Sequence, residues 1–222
     1  MPLYCVHPTS HAPEPTATWD DPVWEPAPPL PIAHFRAEGS DHRPVVAARL
    51  LYDAEALFGI FRVEDRFVRC VRTRYSEPVY KDSCVELFLE PPGGRGYFNF
   101  EWNAGGTLLA SHVVDPARTP TGLRDARPLA EEEARQVLVR TSLPRVIDPE
   151  VRDPLTWTLS FALPFRLMEP YVGPARPSAG DRWRANLYKC ADDSSHPHWA
   201  SWAPLDERNF HLPRSFGVLR FG

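Results

Sequence analysis

The sequence predicts an all-β protein, a two-sheet antiparallel β-sandwich with at most one or two short helices. Three observations carry this expectation. Apolar and polar residues alternate with period 2 in about ten segments, spaced roughly 8–20 residues apart. Proline is abundant, 26 of 222 residues, and spread along the whole chain, which disfavours helices and suits short strands joined by rigid turns. Only residues 129–136 (LAEEEARQ) are rich in helix formers, and they span about two turns.

Residues 1–17 are rich in Pro, Thr, Ser and His and read as a flexible N-terminal segment, which leaves 18–222 as a single domain. The ordered part begins at Trp19-Asp20-Asp21-Pro22-Val23-Trp24, and Pro26, Pro28, Pro29 and Pro31 make an extended arm. Residues 45–52 and 57–63 read as the first pair of strands, turned by Asp53-Ala54-Glu55-Ala56. Residues 66–73 read as a short strand and 75–82 as a loop.

Residues 80–108 read as three strands and two turns. Val85, Leu87 and Leu89 alternate with Glu86, Phe88 and Glu90, and Pro91-Pro92-Gly93-Gly94 turns the chain. Phe98, Phe100 and Trp102 alternate with Asn99, Glu101 and Asn103, and Ala104-Gly105-Gly106 turns it again into residues 107–113. Residues 115–127 read as a loop punctuated by Pro and Gly. Residues 137–142, 156–163, 183–190 and 216–221 read as strands, and 164–168 as one helical turn.

The net charge is −4, from 25 Lys and Arg against 29 Asp and Glu, with no long block of one sign, so neither a nucleic acid nor an anionic membrane is expected as a partner. No run of 18 apolar residues occurs, and the first residues lack a basic n-region and an apolar h-region. The default expectation is a cytoplasmic protein. Cys5, Cys70, Cys84 and Cys190 are far apart and show no zinc-type spacing, so they read as free, mostly buried thiols, with a Cys70–Cys84 disulfide as the alternative.

Seven segments, in order, resemble the family 9 carbohydrate-binding modules and the wider DOMON-like sandwich superfamily. They are WDDPVW, AARLLYDAEALFGIFRVED, DSCVELFLEP, YFNFEWNAGGTL, WTLSFALPF, WRANLYKC and the closing SWAPL…NFHLPRSFGVLRF. The resemblance runs from about residue 17 to 222 and implies a sandwich of jelly-roll or immunoglobulin-like type that binds sugar. It implies two aromatic clamp residues, which fall on Tyr80 and Phe210, and polar contacts on Glu86, Glu101 and Asn103, with one further strand contact near Tyr188. The chain departs from the pattern at three places. Both clamp positions are tryptophan in the sugar-binding members, and Glu101 replaces a basic residue.

These residue types suit a pyranose. A flat ring packs against the apolar C–H face, and carboxylates and amides take the hydroxyl rim. For Glu86, a solvated strand face or a salt bridge with Lys or Arg is the competing reading, and for the two rings, packing over the end of the sandwich. Trp24, Trp102, Trp157 and Trp183 are expected in the core. The densest polar and aromatic cluster is residues 192–202. There Trp199 or Trp202, with Trp202 preferred, supplies a further wall of the pocket. Asp192, Asp193, His196 and His198, with His211, are a second reading as metal ligands, but their spacing matches no standard site, so no metal residue is assigned.

No cofactor is expected. Structural calcium, which occurs among the sugar-binding relatives, stays open as the alternative, although no acidic loop of the DxDxDG kind is present here. No GxSxG, HExxH, Walker or dinucleotide motif occurs, and the only methionines, Met1 and Met168, argue against a haem carrier, so no catalytic residue is assigned. The expectation is non-catalytic binding of a mono- or oligosaccharide end. The alternatives are a protein-binding or scaffold sandwich that has lost its sugar site and, behind it, a carbohydrate-active enzyme.

Overall fold

Alternation of large apolar side chains with polar ones builds the two sheets of the computed structural model, which describes residues 1–16 and 18–222. The strands in chain order are β1 (Leu3–Pro8), β2 (Leu30–Pro31), β3 (His34–Phe35), β4 (Val45–Tyr52), β5 (Ala56–Asp65), β6 (Val68–Cys70), β7 (Cys84–Glu90) and β8 (Tyr97–Asn103). They continue with β9 (Leu108–Thr119), β10 (Gly122–Pro128), β11 (Leu138–Thr141), β12 (Ile147–Val151), β13 (Leu155–Pro164), β14 (Arg182–Cys190), β15 (Trp199–Ser201) and β16 (Gly217–Phe221). The two α-helices described, α1 (Glu131–Ala134) and α2 (Glu169–Val172), are one turn each.

One sheet runs β10-β9-β8-β7-β14-β16-β1 and the other β1-β4-β5-β13-β11, with β6 and β12 forming a separate ribbon. All pairings are antiparallel except those of β1, which lies parallel to β16 through Leu3–Val6 and parallel to β4 through His7 and Pro8. β1 therefore crosses from one sheet to the other at a corner of the sandwich. For residues 3–8 this corrects the expectation of a flexible N-terminal segment. Tyr4 and Val6 are buried, and their partners lie at the far end of the chain, where local composition gives no hint of them. Residue 17 lies outside the described residues.

Residues 115–127, expected as a loop, are likewise mostly strand. β9 runs on to Thr119 and turns into the edge strand β10, with register shifts around Asp125 that break the period-2 pattern.

The core lies between the sheets. Trp102 stacks on Phe161 at 4.8 Å between ring centres, and Trp24, Trp157 and Trp183 are buried as expected. Gly59 on β5 is needed here, because a Cβ at that position would come within 2.3 Å of the Phe161 ring and 3.0 Å of Leu50. Gly59→Ala is expected to lower stability by about 1–3 kcal/mol, the usual cost of overpacking. A chemical-unfolding midpoint unchanged by the substitution would contradict that reading.

One charged pair interrupts the apolar layer. Lys189 points inward in phase with Leu187, and its ammonium lies 3.4 Å from Asp65 Oδ2, with both side chains fully shielded from solvent. Lys189 Nζ also donates to His198 Nε2 (2.8 Å) and to the Cys190 carbonyl (3.0 Å).

Candidate functional site

The outer face of the first sheet carries the site. On β7 and β8 the inward residues are Val85, Leu87 and Leu89 with Phe98, Phe100 and Trp102, so Glu86, Phe88 and Glu101 must face out. Glu86 lies directly opposite Glu101 across β7 and β8, and directly opposite Tyr188 across β7 and β14. That face is covered from one side by the turn carrying Tyr80 and from the other by residues 191–216. Between them is a cavity of about 340 Å³, lined on its aromatic side by Tyr80, Phe88, Trp199 and Phe210. Its polar lining comes from Glu86, Glu101, Asp192 and Asn209, with Arg36, Arg118 and Arg208.

Each wall is held by identifiable contacts. Tyr80 sits in a 3₁₀ turn, Val79–Lys81, whose Tyr80 carbonyl accepts from Asp192 N (3.3 Å) and from Cys190 Sγ (3.4 Å). Its side chain is 37% exposed. Phe210 stacks on Tyr188 at 4.1 Å and 12°, and the Tyr188 hydroxyl donates to the Phe210 carbonyl at 2.9 Å. Trp199 donates its indole N–H to Asp192 Oδ1 (2.7 Å), and the Arg208 guanidinium lies over its ring at 4.7 Å. Asn209 Oδ1 accepts from His211 N (3.0 Å) and from Arg118 Nη2 (3.2 Å), which ties the Phe210 loop to the β9–β10 hairpin.

The floor is a pair of buried carboxyl groups, Glu86 at 1% and Glu101 at 4% exposure. Neither is solvated and neither has a basic ion-pair partner among the described residues, so the reading as an ordinary surface strand face does not hold. Glu86 Oε1 accepts from Cys190 Sγ (3.1 Å) and Glu101 Oε1 from Asn99 Nδ2 (2.7 Å), while the Oε2 atom of each finds no partner among the described residues. Burial, opposed by the Asn99 hydrogen bond, pushes Glu101 up to about 7. Burial, reinforced by Cys190 and the neighbouring Glu101, raises Glu86 well above the usual carboxylate range. At neutral pH the floor therefore retains protons, and it can offer both hydroxyl donors and carboxylate acceptors.

The structure brings Tyr80, Glu86, Glu101 and Phe210 together and leaves three other expected residues outside the cavity. Asn103 shares the outward face of Glu101 but is fully buried. Its amide donates to the Arg72 carbonyl and to Asp82 Oδ2, both at 2.8 Å, and its oxygen accepts from Thr107 N at 2.9 Å. It closes the β8–β9 turn. Tyr188 is fully buried beneath Phe210 as its support. Trp202 belongs to the core, packed against Gly217, where a Cβ would meet its ring at 2.7 Å.

Trp199, weighed against Trp202, is the tryptophan at the cavity, because it pairs with Cys190 on β14 and so falls on the outward face. The arginines, Phe88 and Asn209 were not anticipated. Phe88 was recoverable from its phase with Glu86, but the arginines come from loops and a hairpin with no local signal.

The alternative metal set does not converge. Asp193 is paired with Arg72 at 2.6 Å, His196 is stacked on Phe67, His198 accepts from Lys189, and His211 Nδ1 lies 2.7 Å from the Tyr97 hydroxyl. All four cysteines are free thiols, with Cys70, Cys84 and Cys190 buried.

A candidate carbohydrate-binding protein from Bacteroides uniformis has the same fold, with a TM-score of 0.84 at 24% identity over 99% of both chains. A family 9 carbohydrate-binding module from Caldicellulosiruptor kristjanssonii, solved in complex with cellotriose, aligns with a TM-score of 0.65 at 13% identity, covering 99% of this chain and 93% of that one. The same organism's module in complex with glucose gives 0.65 and 13%, covering 98% and 95%. No curated protein matches the sequence. The profile of carbohydrate-binding family 9 matches residues 27–221, nearly the whole domain, and this chain belongs to that family.

Proposed function

We propose that the chain is a non-catalytic carbohydrate-binding domain. In this reading it holds the end of a mono- or oligosaccharide in the outer-face cavity, with Tyr80, Trp199 and Phe210 as the aromatic walls and Glu86 and Glu101 as the hydroxyl-binding floor. The observation that carries this reading is the pairing of three wall rings with two buried carboxyl groups whose Oε2 atoms lack partners among the described residues. A sugar hydroxyl supplies the missing hydrogen bond, and an apolar sugar face supplies the contact area for the rings. Family membership supports the same ligand class. The volume suits a small ligand.

The test is calorimetry with glucose, cellotriose and a panel of other mono- and oligosaccharides. A saturable signal is expected, weakened by about 1–3 kcal/mol in Phe210→Ala and in Tyr80→Ala with the thermal unfolding midpoint largely kept. Silence across the panel would overturn the reading and leave a protein-binding sandwich as the next hypothesis. Prolonged incubation with cello-oligosaccharides is expected to yield no product, and release of shorter sugars would assign the carboxyl pair to acid–base work instead.

A further inference from the structure

Two clusters of metal-ligating side chains are present among the described residues, and they differ in kind. In the first, His42, Asp65 and His198 surround a position already served by the Lys189 ammonium, so their charge is satisfied without an ion. In the second, Cys84, Glu86 and Cys190 have no cation among the described residues that forms an ion pair with them. Cys84 and Cys190 are directly opposite across β7 and β14, and Glu86 follows Cys84 by two residues, so all three side chains share the outward face. One ligand atom from each lies within 4.8 Å of the other two. Two sulfurs on one zinc ion sit about 3.8 Å apart, given bonds of about 2.3 Å, so the cluster closes on an ion with small side-chain adjustments.

We propose that Cys84, Cys190 and Glu86 form a binding site for one thiophilic divalent cation, such as zinc, at the floor of the cavity. Three observations converge on it. The strand register fixes the two sulfurs face to face on rigid elements. All three groups are at most 1% exposed, and Glu86 Oε2 has no partner among the described residues. Glu86 and Cys190 line the cavity, which provides an entry path and leaves a fourth coordination position open to it. An oxygen donor in the cavity, water or a ligand hydroxyl, would fill that position.

Soft thiolates with one carboxylate select zinc-like ions over calcium or magnesium. Without an ion both sulfurs are free thiols, with Cys190 Sγ donating to Glu86 Oε1 at 3.1 Å. Loading therefore releases both thiol protons to solvent as the two metal–sulfur bonds form, and the Glu86 carboxyl gives up the proton it holds in the empty site as its carboxylate binds the ion. Glu101 on β8, Asp192 after β14, Tyr80 in the overlying turn and Lys189 on β14 are the other charged or titratable groups around the cluster. The site does not depend on the sugar-binding reading.

The experiment is anaerobic titration of the reduced full chain with Co²⁺, followed by displacement with Zn²⁺. Expected are one cobalt per chain with intense thiolate-to-cobalt charge-transfer absorption, bleached by one equivalent of zinc. The absorption should be lost in Cys84→Ser and in Cys190→Ser. Cobalt binding should weaken by about tenfold or more in Glu86→Gln and be unchanged in Cys5→Ser. Circular dichroism establishes that each variant is folded. If a serine variant unfolds, the wild-type spectrum still decides, because absence of thiolate absorption in the wild type overturns the site. Absorption that survives both serine substitutions, or vanishes in Cys5→Ser, overturns it as well.

Discussion

Lys189→Met is expected to destabilise the domain by about 3–5 kcal/mol at neutral pH, because it leaves the Asp65 carboxylate buried without its countercharge. The cluster around these two residues is fully satisfied. Lys189 Nζ has three protons and three acceptors: Asp65 Oδ2, His198 Nε2 and the Cys190 carbonyl. His198 Nδ1 bonds the His196 carbonyl, so it must donate, while Nε2 must accept from the ammonium; the ring is the neutral Nδ1–H tautomer. Burial and the Lys189 charge, pushing His198 down to about 3, agree with this. Asp65 Oδ1 accepts from His42 Nε2 and Arg66 N, both at 2.8 Å, and Oδ2 also accepts from the Trp157 indole at 3.4 Å.

Burial alone would raise Asp65, yet Lys189 and His42 overcome it and hold the group well below the ordinary carboxylate range. A depressed carboxyl contributes stability above its unfolded value of about 4 and loses it as pH falls further. The deficit of Lys189→Met relative to wild type should shrink as pH falls, beginning at the folded titration point of the unpaired aspartate, which burial raises, and continuing towards the low titration point of the wild type. Urea unfolding of wild type, Lys189→Met and the double variant Asp65→Asn with Lys189→Met tests this. The double variant should recover most of the loss. A single variant within 1 kcal/mol of wild type would show that the pair is not needed.

Much of this architecture is legible because the inner face of each central strand is filled by large apolar side chains at period 2. The phase of Val85, Leu87 and Leu89 already places Glu86 and Glu101 on the opposite face, and the phase of Trp183 and Leu187 places Lys189 inside. What a strand pattern does not convey is what covers its other face. Glu101 and Asn103 are two residues apart on one face, yet one opens into the cavity while the other is claimed by Asp82, Arg72 and Thr107. Trp199 and Trp202 likewise differ by three positions, which reverses their faces, and only the pairing of Trp199 with Cys190 decides which one meets the cavity. β1 was missed for a related reason: its parallel pairing with β16 is contributed by residues more than two hundred positions away.

The carboxyl floor is expected to give the opposite pH dependence, in a window separate from that of Asp65. Burial pushes Glu101 up to about 7 in the folded chain against about 4.5 for an ordinary glutamate, and burial with Cys190 and Glu101 likewise raises Glu86 well above that ordinary value. A raised carboxyl takes up protons in the folded state that the unfolded chain has already released. Stability is therefore highest below the unfolded value and falls as pH rises through the folded one. For Glu101 alone the loss between about pH 4.5 and pH 8 is roughly 3 kcal/mol. Glu101→Gln keeps the shape and the hydrogen-bond donor of the acid form, so it should abolish most of this slope and stabilise the domain at pH 8.

Urea unfolding at pH 5, 6, 7 and 8, run on wild type and Glu101→Gln side by side, subtracts the groups common to both, including His198 and His211, which burial keeps neutral in the folded chain, and a slope that is the same in Glu101→Gln would refute it. The same physics links the floor to the ligand. Sugar hydroxyls that donate to the carboxyl oxygens favour the ionised form, so saturation with a sugar should lower the folded titration point and release protons near pH 7. Calorimetry of that binding in two buffers of different ionisation enthalpy would reveal the released proton as a buffer-dependent heat. Equal heats in both buffers would mean that the carboxyl pair does not change its protonation when a sugar binds.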